Sequence, residues 1–220
     1  MRKKYILFDL DGTLTDPMVG ITKSAQYALQ KFGIKITDHK SLSFFIGPPL
    51  RDSFCQYYGM TQEEAGRAIQ YYREYYTPIG IFENELYEGI EEMLIHLKKE
   101  EHTIVLATSK PEVFAKQILE YFQIAPYFDF IAGSDLEETR VKKADVIQYA
   151  LKQFPADFRM EVIMVGDRCY DIEGARQCGI RVGAVTYGYG SLQELEKAKP
   201  DWIAATVKEL EQQLCGKHVK

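Results

Sequence analysis

The chain has little of what would tie it to a membrane, a disulfide-stapled scaffold or a nucleic acid. No apolar run approaches the ~20 residues that span a bilayer. The opening MRKKYILFDLDG pairs a basic start with a short apolar stretch, but acids follow at once, unlike a secretion signal. Cysteine is sparse: Cys55, Cys169, Cys178 and Cys215 are scattered, form no C-x-x-C pair and read as reduced thiols. The histidines His39, His96, His102 and His218 are dispersed, which leaves a His/Cys zinc site without support. Basic residues are outnumbered, 27 Lys and Arg against 32 Asp and Glu, and the net charge of −5 argues against a nucleic-acid polymer as partner. Internal repeats and low-complexity segments are absent. These absences point to a cytoplasmic protein with no membrane association. Any anionic ligand must find its positive charge locally.

What is present is an ordinary globular composition, 46% hydrophobic and 27% charged over 220 residues, enough for one large domain or a domain with an insertion. From residue 84 onward, helix and strand patterns alternate. LYEGIEEMLIHLKKE reads as an amphipathic helix and HTIVLATS as a buried strand. PEVFAKQILEYF reads as a helix with Pro111 in its first turn. FDFIAG, MEVIMVGD, IRVGAVTYG and DWIAA read as further strands, separated by helices at KKADVIQYALKQF, DIEGARQCG and SLQELEKA and followed by one at VKELEQQL. Strands joined by helical crossovers predict a Rossmann-like α/β core with a parallel sheet covered on both faces. YILFDLD supplies its first strand.

Between that strand and the helix near residue 86 lie roughly seventy residues, far beyond the ~2–6 residues of an ordinary α/β connection. They carry helical signals. MVGITKSAQYALQKFG ends at Gly33, LRDSFCQYYG is a short amphipathic stretch, and TQEEAGRAIQYYREYYTP opens with a Thr-x-x-Glu capping box. The expected organisation is therefore core at 1–15, an all-helical cap insertion at 16–83, and core again at 84–220.

Ligands of parallel sheets gather at the carboxyl ends of the strands, and the polar residues expected there form a coherent set. The first strand ends at Asp9, with Asp11, Gly12 and Thr13 in the turn. TIVLATSK ends at Thr108 and Ser109, followed by Lys110. VIMVGDRCYD ends at Gly166 and Asp167, with Asp171 four residues on, and Lys142 and Lys143 open a helix between these strands. Asp9 and Asp167 offer hard oxygens suited to Mg²⁺, and such a cation relieves their mutual repulsion. Asp9 would then serve as a nucleophile and Asp11 as general acid and base. A carboxylate approaching a phosphate dianion meets roughly 4 kcal/mol of repulsion per charge pair at 4 Å and effective dielectric 20. A cation and a lysine offset this, and Thr108 adds a hydroxyl donor.

Asp9-Leu-Asp11-Gly12-Thr13, strand-end Thr108, a lysine and Gly166-Asp167-x-x-x-Asp171, in this order, resemble the haloacid dehalogenase superfamily over essentially the whole chain. The insertion after the first strand resembles its helical-cap subgroup, which includes phosphoglycolate phosphatases and bacterial 5′-nucleotidase-like phosphatases. The resemblance implies a Mg²⁺-dependent phosphatase of a small phosphorylated metabolite. In it Asp9 forms an aspartyl-phosphate, Asp11 protonates the leaving group and then activates water, and Thr108 and a lysine hold the phosphoryl group. Asp9, the Asp11 main-chain carbonyl and Asp167 would bind the cation, with Asp171 close by. Many relatives place proline after the lysine, where this chain has Lys142-Lys143-Ala144. Spacing to the following helix favours Lys143 and leaves Lys142 open.

Gly12, Thr13, Ser109 and Lys110 are further candidates for substrate binding. So is Arg51, which follows the rigid Gly47-Pro48-Pro49 turn and could touch the leaving group from a cap loop. The tyrosines at 71, 72, 75 and 76 read as cap packing, Asp16 as a turn residue before Pro17, and the glycines of TYGYGS as backbone geometry. Alternative readings are a 5′-nucleotidase and, less well matched, a sugar phosphomutase. A non-enzymatic binding module does not fit the complete acid set. Monomer and homodimer are both open.

Overall fold

Four consecutive buried residues, Tyr5–Phe8 (β1), form the axis of the structure, a computed structural model that describes residues 4–136, 139–154 and 161–216. Met160, expected to open a strand, and His218 lie outside the described residues. The chain divides into two compact units, Met1–Thr15 with Leu86–Lys220, and Asp16–Glu85. The chain passes between them at strands Thr15–Asp16 (β2) and Glu85–Leu86 (β3), which pair as a two-stranded sheet.

The first unit contains a parallel sheet of six strands, the others being Thr103–Pro111 (β4), Phe130–Ser134 (β5), Val162–Gly166 (β6), Arg181–Val185 (β7) and Trp202–Ala204 (β8). Their spatial order is β5-β4-β1-β6-β7-β8. An apolar run such as YILF, without alternation, is what a central parallel strand needs, because both of its faces are covered. Tyr5 and Leu7 join a core with Val105, Met164, Val182 and the helical residues Ile147 and Ile172. Ile6 and Phe8, on the opposite face by strand alternation, are fully buried too. Ile147 and Ile172 belong to helices Lys143–Leu151 (α6) and Cys169–Gln177 (α7), whose first turns lie at the carboxyl edge of the sheet. The Rossmann-like α/β core expected from the sequence is the one observed.

Two boundaries differ from expectation. The helix predicted from Leu86 begins at Ile90 and runs to Lys99, because Gly89 takes a left-handed conformation (φ 84°) that ends the extended entry. Pro111 lies one residue before the helix Glu112–Tyr121, at its N-cap, with the extended ψ of 131° that lets β4 run through to it.

The second unit is built of helices Met18–Lys31, Leu50–Tyr58 and Gln62–Tyr76, with a 3₁₀ turn at His39–Phe45 that carried no sequence signal. The capping box is formed: Thr61 Oγ1 accepts from Glu64 N, and the Glu64 side chain accepts from Thr61 N. The tyrosine cluster packs inside this unit. The buried Tyr72 and Tyr76 stack at 5.2 Å, Tyr75 lies 5.9 Å from Tyr27, and Tyr71 lies 6.1 Å from Phe32. Asp16 makes the expected turn, its Oδ1 accepting from Met18 N at 2.9 Å.

Gly183 of β7 faces the ring of Trp202 on β8 so closely that an added Cβ would overlap it. Gly183→Val is therefore expected to destabilise the protein by about 1–3 kcal/mol through overpacking. Urea unfolding followed by fluorescence of Trp202, the single tryptophan, measures this at the affected strand pair.

Candidate active site

Parallel register decides what meets at the sheet edge. Phe8 pairs with both Leu106 and Val165, so Asp9, Thr108 and Asp167 emerge side by side. The turn after β1 closes tightly, with Gly12 N donating to Thr15 O and Leu14 N to Leu10 O. Gly12 sits at φ 80°, and a Cβ there would overlap the Asp167 carboxylate. Glycine is thus required at this position for both conformation and space.

Asp9, Asp167 and Asp171 are all buried, and each offers an oxygen within 4.8 Å of the others'. Lys143, at the start of α6, enters this cluster. Its Nζ lies 2.8 Å from Asp9 Oδ1, 2.8 Å from Asp171 Oδ1 and 3.1 Å from the Ala107 carbonyl. Lys142, by contrast, is exposed as the N-cap residue of α6. Burial alone would pull the Lys143 pKa down, yet the facing Asp171 and Asp9 hold it above its usual value. Burial pushes Asp171 up to about 6, against the pull of Lys143 and with Asp9 adding to the rise. Burial, then Asp171 and Asp9, hold Asp167 well above the ordinary carboxylate range. One lysine therefore does not balance three acids.

That imbalance is the test for a metal. Asp167 Oδ2 accepts from Tyr189 N at 2.7 Å, while its buried Oδ1 has no hydrogen-bond partner among the described residues. An all-oxygen set with excess negative charge and an unused carboxylate oxygen fits a hard divalent cation. Asp11 stands apart from this cluster. Its Oδ1 pairs with Lys110 Nζ at 2.8 Å, and burial nonetheless raises its pKa, with Lys110 opposing.

Thr108 is buried, and its Oγ1 accepts from Lys110 N at 3.3 Å, which leaves the hydroxyl proton free to donate. Ser109 is half-buried beside it. Thr13 is buried, with Oγ1 unpaired among the described residues. The edge of the first unit thus collects Asp9, Asp11, Gly12, Thr13, Thr108, Ser109, Lys110, Lys143, Asp167 and Asp171. Arg51 belongs to the second unit, where Nη1 donates to the Gln62 carbonyl at 2.8 Å and links two cap helices. Sequence reasoning missed the Ala107 carbonyl under Lys143, and it missed Tyr187, whose Oη donates to Thr13 O at 2.9 Å. Residue type marks no carbonyl. Tyr187, however, sits at the carboxyl end of a strand, the position that singled out the acids.

The profile of haloacid dehalogenase-like hydrolases matches residues 6–185. The chain belongs to that family. It is 42% identical to a 5′-nucleotidase of Pseudomonas aeruginosa, over 97% of this chain and 96% of that one. It is 36% identical to the tyrosine-protein kinase PtkA of Mycobacterium tuberculosis, over 96% of this chain and 72% of that one. It is 27% identical to a phosphoglycolate phosphatase of Vibrio parahaemolyticus, over 94% of both. A crystal structure described as a predicted phosphatase from Clostridium acetobutylicum superposes with a TM-score of 0.93 at 47% identity, covering 98% of this chain and all of that one. The expected family and fold are thereby met, and the chain is a phosphatase of this family.

Two outcomes follow from the buried charges. Ionising Asp167 costs more in the fold than in the unfolded chain, so its contribution lowers metal-free stability as pH rises above the ordinary carboxylate pKa. Asp167→Asn removes that cost while keeping an acceptor for Tyr189 N. In chelator, it should melt at a higher temperature than wild type at pH 7.5, and the gap should narrow as pH falls toward 4. Lys143→Ala leaves two buried acids without their ammonium and should cost about 3–5 kcal/mol in urea unfolding, whereas Lys142→Ala should stay within about 0.5 kcal/mol.

Proposed function

We propose that the chain hydrolyses the phosphomonoester of a small phosphorylated metabolite, with Mg²⁺ as cofactor and Asp9 as nucleophile. The observation that carries this reading is the Asp9–Lys143–Asp171 contact beside an unpaired Asp167 oxygen. A carboxylate is presented at a strand end with its charge partly compensated and a cation site alongside.

Asp9, Asp167 and the Asp11 main-chain carbonyl would hold Mg²⁺, with Asp171 close by, and the ion would supply neutralisation of the phosphoryl oxygens. The chain's own groups do the rest. An Asp9 carboxylate oxygen attacks phosphorus, and the ester P–O bond breaks. Asp11, whose pKa burial raises, gives a proton to the departing oxygen. Asp11, now ionised, takes a proton from water, and the resulting hydroxide oxygen bonds to phosphorus. The Asp9–phosphorus bond breaks, and inorganic phosphate leaves. Lys110, 2.8 Å from Asp11, steadies the ionised state between the two steps. The Lys143 hydrogens already face Asp9, Asp171 and Ala107 O, so its contribution to the phosphoryl group is its charge. Thr108 donates its free hydroxyl proton to a phosphoryl oxygen.

For the substrate, the 42% identity to a 5′-nucleotidase, against 27% to a phosphoglycolate phosphatase, favours a nucleoside monophosphate. A sugar phosphomutase would use the same nucleophile but would need a bisphosphorylated sugar for turnover. The reading carries no role for a membrane or a nucleic-acid polymer, and a cytoplasmic location suits its substrates.

Asp9→Asn should lower hydrolysis of an aryl phosphate at least about 10³-fold while keeping the melting temperature near that of wild type or above it. Comparable turnover in the variant would remove Asp9 as nucleophile. Chelation should abolish wild-type turnover and Mg²⁺ restore it. A metabolite panel at fixed Mg²⁺ should rank nucleoside 5′-monophosphates above phosphoglycolate, and the reverse ranking would return the substrate to the small phosphoacids.

A further inference from the structure

The segment that follows β7, Thr186 to Glu194, contains none of the acids or lysines used above, yet it fastens to three separate pieces of the site. Tyr187 Oη donates to the carbonyl of Thr13, two residues beyond Asp11. Tyr189 N donates to Asp167 Oδ2, leaving Oδ1 of the same carboxylate unpaired among the described residues. Glu194 Oε1 accepts from both Cys169 N and Arg168 Nε at 2.9 Å, at the start of the helix that carries Asp171. Thr186 N, bonded to Ala204 O at 3.0 Å, ties the near end to β8. The fit is too tight for side chains at two points. A Cβ on Gly188 would overlap Gly12 O and the Asp167 carboxylate, and one on Gly190 would overlap Asp167 O.

Ordinary packing does not require this pattern. The loop's polar bonds end on the nucleophile turn, on a candidate cation ligand and on the turn bearing Asp171. Each bond fixes an orientation: the Thr13 carbonyl sets the pitch of the turn after Asp9, and the Tyr189 amide sets which Asp167 oxygen is free. The Tyr187 ring is separately seated, edge-on to Tyr87 with centroids 5.0 Å apart, so its phenol oxygen can be removed while the ring stays packed.

We infer that the segment Thr186–Glu194 is a positioning strap for the catalytic edge, and that Tyr187 is a positioning residue that holds the nucleophile turn through the Thr13 carbonyl. The inference rests on the proposed hydrolysis at Asp9.

The test is Tyr187→Phe in the full chain, assayed on an aryl phosphate with Mg²⁺. We expect kcat to fall about five- to twentyfold, as misplaced catalytic groups do, with KM within about twofold and the melting temperature within about 2 °C. Mg²⁺ affinity by calorimetry should stay within about twofold, because Tyr189 N still orients Asp167. Amide hydrogen exchange at Gly12 to Thr15 should quicken. Gly188→Ala, which crowds Asp167 directly, should weaken Mg²⁺ binding as well. Unchanged kcat and exchange in Tyr187→Phe would overturn the assignment. So would a melting temperature that falls in step with kcat, which would make the phenol a fold contact only. Should the wild type hydrolyse no phosphomonoester, the hydrolase reading fails by itself, and the exchange rates still decide whether Tyr187 holds the turn.

Discussion

One ammonium group governs the carboxyl edge of the sheet. Lys143 Nζ touches Asp9 and Asp171 at 2.8 Å each inside a buried pocket, and without it two carboxylates would share a low-dielectric space with no counterion. Buried ion pairs add little net stability when whole, because desolvation offsets their attraction, but broken ones are costly. Lys143 therefore acts less as a source of stability than as the condition under which ionised acids can occupy this place. It compensates them incompletely, and the remaining negative charge would suit a hard cation.

The same arrangement explains why the acids come from distant segments. Asp9 and Asp11 follow one strand, Asp167 and Asp171 another, and Lys143 starts a helix between. Only a parallel sheet, with β1 flanked by β4 and β6, brings their ends together. Several segments supply the groups, and the sheet supplies the distances between them. The chain enters and leaves the helical unit from Asp16 to Glu85 through the short strand pair β2 and β3.

Much of this was legible in the sequence, for identifiable reasons. The apolar run of β1 and the regular helix–strand alternation after residue 84 are strong periodic signals, and Asp9, Asp11 and Asp167 stand where such strands end. Of the two adjacent lysines, Lys143, the first residue of α6, is buried, and Lys142 is exposed. What was not legible depends on backbone. Gly89 moves the start of a helix by taking a left-handed conformation, and the 3₁₀ turn at His39–Phe45 has no period to reveal it. The Ala107 carbonyl and the Tyr189 amide carry no side-chain signature at all. Arg51 reads the same in sequence whether it reaches a substrate or a neighbouring helix. Its bond to the Gln62 carbonyl is visible only in three dimensions.

The position of β1 has a consequence for biogenesis. Tyr5 pairs with Thr103 on one side and Val162 on the other, and β1 precedes both partners in the chain, so it waits for both neighbours. During translation the helical unit can collapse locally while YILF, among the most apolar stretches of the chain, remains unpaired on the ribosome. Such non-local pairing is slow and exposes sticky surface. The carboxylates that end this strand, together with the basic residues at its start, give the waiting segment charged flanks that discourage self-association before the sheet closes.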